Sequence, residues 1–255
     1  MNSPIPELFT AVEIEVNSAC NMSCSYCPNS VAKRIETGVM DEGLYHEIIA
    51  QLEALNFSGR ISYDFYNEPL LVKDLAQKVA YTKEKLPKCN IEIYSNGSLL
   101  TKESLDRYFE CGVDKFVITR HEDGQKGSGD FEQLYSGLDD SLKAKIEYKN
   151  WKDLHLTNRG GCLDDVGGVT QKLLPCYIPH HIVTITVKGN IVPCFEDFYQ
   201  KNQMGNILET PLIDIWNSQK YSKFRDDLKL GQRHLYEACK QCNRVQVLPI
   251  DGEGM

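Results

Sequence analysis

The sequence predicts an α/β fold, a parallel sheet with crossover helices over about the first 160 residues, followed by a smaller unit rich in cysteine. Three observations predict it. Short β-rich runs alternate with helical ones between residues 13 and 156. Loops bearing Cys, Glu, Asn and Gly fall directly after the strands, where ligands gather in such sheets. From residue 176 onward the alternation gives way to a hairpin, two helices and four cysteines.

The run EIEV ends a first strand at Val16, and a loop with Cys20, Cys24 and Cys27 follows. Asp41 can cap a helix in which Leu44, Ile48, Leu52 and Leu55 recur at helical spacing. Residues 60–66 read as the second strand, and residues 74–86 as a helix stopped by Pro87. The third strand is 91–95, Thr101 opens a helix through Phe109 that ends at Gly112, and the fourth strand is 115–119. Residues 121–130 are polar and glycine-rich, which predicts a mobile loop. One more helix and strand are expected over 131–149. Residues 182–187, the turn KGN and residues 191–194 form a predicted hairpin, with helices near 212–216 and 221–230.

Composition narrows the function. With 255 residues, 42% hydrophobic and 25% charged, the chain suits one or two globular domains. No apolar run approaches the roughly 20 residues that span a bilayer. The N-terminus has no basic segment ahead of an apolar one, so no membrane role and a cytoplasmic location are expected. A net charge of −8 without a block of Lys and Arg argues against nucleic acid as a partner. Ten cysteines in such a chain point to metal or catalytic use rather than disulfides.

Three cysteines within one short loop can grip one metal centre. A structural zinc site wants four ligands, and a fourth local one is missing. A [4Fe-4S] cube on three thiolates keeps one iron open. Cys20-x3-Cys24-x2-Cys27, with Tyr26 before the last cysteine, resembles the signature of the radical S-adenosylmethionine (SAM) superfamily. The resemblance implies a partial (β/α) barrel, a [4Fe-4S] cluster whose open iron is chelated by SAM, and formation of a 5′-deoxyadenosyl radical. Tyr66-Asn67-Glu68-Pro69 is similar to that family's Gly-Gly-Glu-Pro motif, which binds the SAM amino group; here the glycines are replaced. Tyr94-Ser95-Asn96-Gly97 resembles the segment that contacts the ribose and methionine, although alone it also reads as a polar turn. Thr119 and Arg120 close the fourth strand at the same edge; Arg120 can meet the SAM carboxylate or a substrate, and His121 reads equally as a structural histidine.

Cys176, Cys194 and the pair Cys239-x2-Cys242 offer four further ligands, and spacing alone does not separate a zinc ribbon from iron–sulfur. The stretches GNIVPC and GNILETPLIDIWNSQKYSKFRDDLKLG resemble the SPASM and Twitch extensions of radical SAM enzymes. The four-ligand count implies the Twitch form, with one auxiliary [4Fe-4S] cluster. The expected division is a radical SAM domain over 1–160 and a Twitch domain over 161–255.

The stretches EIEVNSACNMSCSYCPNSVAKR, GRISYDFYNEPLL, NRGG and GNIVPCFEDFYQK are most similar to the aminocyclitol-oxidising branch of the superfamily. That resemblance implies oxidation of a secondary alcohol on an aminocyclitol or amino sugar, 2-deoxy-scyllo-inosamine-like, to a ketone. It also implies a small-molecule pocket formed by Tyr66, Tyr94, Arg159, Phe195 and Glu196, and a flavodoxin- or ferredoxin-type reductant. The chemistry is coherent: an α-hydroxyalkyl radical loses its hydroxyl proton readily, and the ketyl left behind is a strong reductant that a second cluster can drain. Guanidinium is always protonated, so Arg159 is expected to orient the hydroxyl, with Glu196 or a nearby water taking the proton. Three other readings compete: an epimerase using Cys162 as hydrogen donor, modification of a ribosomal peptide, and a zinc-binding interaction protein.

Overall fold

The computed structural model describes residues 7–127, 129–163, 166 and 174–244. Strand β1 (Ala11–Ile14) is buried along its whole length because it lies inside the sheet, flanked by parallel partners on both sides. Then come α1 (Glu42–Ala54), β2 (Arg60–Ser62), α2 (Leu75–Lys85), β3 (Asn90–Ser95), α3 (Lys102–Glu110), β4 (Lys115–Arg120), the short α4 (Asp130–Ser136) and α5 (Asp140–Lys143), and β5 (Ile146–Asn150). The remainder holds α6 (Ile178–His181), β6 (Ile182–Ile185), β7 (Asn190–Val192), β8 (Gly205–Asn206), α7 (Leu212–Asn217), α8 (Gln219–Lys229) and α9 (Glu237–Gln241).

One open eight-stranded sheet, in the order β5-β4-β3-β2-β1-β6-β7-β8, carries everything. Its first six strands are parallel, and β7 and β8 are antiparallel additions at the edge. This is the α/β array of a partial barrel. The expected boundary at 160/161 does not interrupt the sheet, since β6 pairs with β1 in the register Ala11↔Ile182 to Ile14↔Ile185.

Local chemistry explains the elements. The Asp41 side chain accepts from the backbone N–H groups of Gly43 and Leu44, and α1 buries Leu44, Tyr45, Ile48, Ile49 and Leu52 against the sheet. Thr101 and Ser104 form a capping box at α3. The second strand is shorter than the 60–66 expected, because the Asn67 side chain accepts from the Phe65 backbone N–H at 2.9 Å and curls the chain out of the ladder. That curl delivers Asp64 and Tyr66 to the mouth of the sheet. Gly189, at φ +84, makes the β6–β7 turn.

The stretch expected to be a mobile loop is instead tied down. Glu122 accepts from the backbone N–H of Ser25 at 2.7 Å and from its hydroxyl. Gln125 exchanges two hydrogen bonds with the Ser23 backbone, at 2.9 and 3.0 Å. Its polar residues are therefore ligands for another loop's backbone. Among the described residues no helix is long and apolar enough to cross a membrane.

Candidate active site

The cysteine loop leaves β1 at the carboxyl edge of the sheet. Met22, Cys24 and Tyr26 are buried together, with Trp151, Leu154 and Leu156 packed against them. The Tyr26 ring stacks on Trp151 at 5.5 Å and on His121 at 5.9 Å, and its hydroxyl meets His121 Nδ1. Cys20, Cys24 and Cys27 all face a cavity of about 550 Å³. Burial pushes their thiols up, to about 11 for Cys20 and about 12 for Cys24; at Cys27 the Arg159 and Arg34 guanidiniums partly offset it.

Glu68 stands in the same wall and is 1% exposed. It accepts from Ser95 Oγ at 2.8 Å, Asn96 N at 2.8 Å and Leu70 N at 3.1 Å, so one carboxylate lone pair remains for a ligand. Asn67 Nδ2 donates to Asn17 Oδ1, and Asn96 Nδ2 donates to Asn21 Oδ1, each at 2.8 Å. Tyr26, Asn67, Glu68, Ser95, Asn96 and Thr119 all line the cavity.

Arg120 does not. Residues alternate sides along β4, so Val117, Thr119 and His121 face the cavity while Arg120 turns away and pairs with Asp123 at 3.2 Å and Glu132 at 3.7 Å. Burial holds His121 near pKa 4, as a neutral imidazole.

Tyr66, Tyr94, Arg159 and Phe195 also reach this cavity. Tyr66 donates to the Phe195 carbonyl at 2.6 Å. The Tyr94 hydroxyl is engaged by Arg60 and Glu92, at 2.9 and 3.0 Å. Arg159, Gly160 and Gly161 all have positive φ, at 49°, 63° and 85°. A Cβ on Gly160 would stand 2.7 Å from the Glu196 carbonyl, and one on Gly161 only 2.4 Å from Gln241 Oε1. The two glycines therefore let this strained turn press against the C-terminal segment and aim Arg159 inward.

Glu196 is not in the wall of the large cavity. It lies behind it, 3% exposed, accepting from Thr157 Oγ1 on both oxygens at 2.8 and 2.9 Å and pairing with Arg244 at 3.1 Å and Arg159 at 3.7 Å. A carboxylate held between two guanidiniums fixes their positions, which is a different task from accepting a substrate proton.

Glu196 instead lines a second, smaller cavity together with Cys176, Cys194, Cys239 and Cys242. Burial pushes the Cys242 thiol to about 12 and raises the other three. N–H groups point at the sulfurs: Glu196 N to Cys194 at 3.4 Å, Arg244 N to Cys242 at 3.5 Å, and Asn202 Nδ2 to Cys239 at 3.8 Å. Among the described residues no three His, Cys, Asp or Glu converge as a single-ion site. The thiols surround cavities rather than a point. Three cysteines at the larger cavity and four at the smaller one fit two clusters; thiols this buried need the iron charge to ionise.

Sequence reasoning passed over Glu13, Asp64 and Arg244, which line the large cavity. Glu13 carried a signal, a charge inside an apolar strand. Asp64 and Arg244 carried none.

A sequence model of the radical SAM superfamily matches residues 14–152, and one of the SPASM iron–sulfur cluster-binding domain matches residues 176–243. The S-adenosyl-L-methionine-dependent 2-deoxy-scyllo-inosamine dehydrogenase of Niallia circulans is 46% identical over 241 residues, 94% of this chain and 95% of that one. The crystal structure of BtrN in complex with AdoMet and 2-DOIA superposes with a TM-score of 0.89 at 45% identity, covering 94% of this chain and 95% of that one. BtrN in an open conformation gives 0.76 at 39% identity over the same shares. The arrangement described here is thus nearer the liganded form.

Proposed function

The chain belongs to the radical SAM superfamily, with a SPASM cluster-binding domain toward its C-terminus, and from that premise we propose that it oxidises a secondary alcohol of an aminocyclitol, 2-deoxy-scyllo-inosamine or a close analogue, to the ketone. The observation that carries this is one continuous wall. Cys20, Cys24 and Cys27 stand with Glu68, Ser95 and Asn96 in the same cavity as Tyr66, Arg159 and Phe195, and Arg244 joins it to the cavity of four cysteines.

A [4Fe-4S] cluster on Cys20, Cys24 and Cys27 with SAM beside Glu68, and an auxiliary cluster on Cys176, Cys194, Cys239 and Cys242, supply a hydrogen-atom acceptor and an electron acceptor. Overall the alcohol would give one hydrogen atom to the 5′-deoxyadenosyl group, one proton to water and one electron to the auxiliary cluster. One electron from the reductant would break the SAM C–S bond and release methionine. Arg159, always protonated, donates to the reacting oxygen and favours its anionic form. Tyr66, bonded to the Phe195 carbonyl, closes the wall beside it. Glu196 keeps Arg159 in place, and the proton leaves to water. A flavodoxin- or ferredoxin-type protein is the reductant, and ten free thiols suit the cytoplasm. The division into 1–160 and 161–255 is a division of labour within one sheet.

The amine is read by acid. Glu13 and Asp64 stand in the cavity wall with Glu92 close behind; Arg60 pairs with two of them, at 3.8 Å from Glu13 and 3.6 Å from Glu92, and Arg244 acts on Glu13 from farther off. Asp64 Oδ1 is buried with no hydrogen-bond partner among the described residues. Burial and their mutual repulsion push both carboxyls up. An ammonium placed there resolves the surplus, which favours an amino-bearing substrate.

The test is anaerobic turnover of the reconstituted protein with reductant, SAM and 2-deoxy-scyllo-inosamine deuterated at the carbinol carbon. Ketone and 5′-deoxyadenosine should form one to one, with deuterium in the latter. SAM cleavage without ketone would discard the substrate, and a product of unchanged mass carrying solvent deuterium would install the epimerase instead.

A further inference from the structure

Among the described residues, Arg244 alone stands in the wall of both cavities. It is 9% exposed, and both its side chain and its backbone are held. The guanidinium lies 4.9 Å over the Phe195 ring and donates to Glu196 Oε1 at 3.1 Å. Its backbone N–H points at Cys242 Sγ, and its carbonyl accepts from Arg233 Nη1 at 2.8 Å. Phe195 follows Cys194 directly, and its ring faces the large cavity. A fixed cation thus clamps an aromatic side chain that packs on Cys194 on one side and lines the reacting pocket on the other.

We propose that Arg244 is a positioning residue for the oxidation step, holding Phe195 at the junction and making the auxiliary cluster easier to reduce. This rests on the dehydrogenase reading above. There, once the carbinol hydrogen is in 5′-deoxyadenosine and the hydroxyl proton in water, one electron remains, and the auxiliary cluster gains one negative charge as the ketone forms. A positive charge in a wall of low dielectric favours that gain, and cluster potentials follow local charge and hydrogen bonds to the sulfurs.

The measurement is the midpoint potential of the auxiliary cluster, followed by EPR in full-length protein whose Cys20, Cys24 and Cys27 are changed to Ala, so that only the auxiliary signal remains. Arg244→Gln should lower the potential by about 59 mV, a tenfold loss in the reduction equilibrium, with iron and sulfide content unchanged. Arg244→Lys should retain most of the wild-type potential. Arg244→His gives a charge that pH controls: its potential should fall more steeply than wild type between pH 6 and 8, which keeps the test alive if the Gln variant loses its cluster. A potential unmoved in Arg244→Gln, or a pH slope in Arg244→His equal to wild type, overturns the inference alone. A wild-type protein with no auxiliary cluster overturns the dehydrogenase reading and this inference with it.

Discussion

Replacing Asp64 by Asn removes one negative charge from the acid wall while keeping shape and hydrogen-bonding atoms. If the substrate ammonium is met there, the variant replaces an ionised acceptor by a neutral one and loses the difference, about 1–1.5 kcal/mol. That converts to roughly 5- to 12-fold in dissociation constant. The assay is anaerobic titration calorimetry of SAM-loaded protein with two ligands, 2-deoxy-scyllo-inosamine and the analogue bearing hydroxyl in place of the amine. Asp64→Asn should weaken the first by that factor and leave the second within about threefold, since the difference between ligands isolates the pair. The ligand-free protein should gain stability at neutral pH, because Asp64 no longer faces Glu13 across a buried gap with one arginine between them. Equal weakening of both ligands, or a wild-type protein indifferent to the amine, would refute the reasoning.

Glu122→Ala frees the backbone of Ser25 and should impair loading of the first cluster while the four-cysteine cluster stays intact, read as about half the iron per chain and a sharp fall in SAM cleavage. His121 has its pKa lowered to about 4 by burial, so the neutral ring stabilises the fold above the unfolded value of 6.5, and this contribution is lost as pH falls toward 4. The loss approaches about 3 kcal/mol; urea unfolding of the metal-free protein across this range should show it, and His121→Gln should flatten the profile. Cys162 lines neither cavity and its thiol meets the Tyr199 hydroxyl, so Cys162→Ala should keep ketone formation within about twofold. A collapse of turnover in that variant would restore the epimerase.

Much of this site was legible because its motifs ride on strand ends. Cys20, Glu68 and Asn96 were each placed by a strand finishing before them and Thr119 by the end of its own strand, and the parallel sheet gathered them into one wall. The failures share a physical cause, side-chain direction. Arg120 and His121 are neighbours in sequence, and the pleat alone sends one outward and the other in. Glu196 follows a cavity-lining residue yet is drawn backward by two arginines and Thr157. The polar stretch after β4 looked mobile since nothing in its own composition says that its acceptors are filled by Ser23 and Ser25, about 100 positions earlier. Asp64 and Arg244 are single charges in unpatterned segments, and only the folded neighbourhood gives them meaning.

The pairing of β1 with β6 has a consequence for how the protein is made. The strand that launches the first cysteine loop receives one of its two neighbours from residues 182–185, some 170 positions later. A nascent chain therefore cannot complete the support of that loop until most of its length has left the ribosome, and until then β1 presents a raw hydrogen-bonding edge to the cell. A finished first site accordingly waits for β6, and an emerging chain stalled before β6 would be a target for aggregation rather than for assembly.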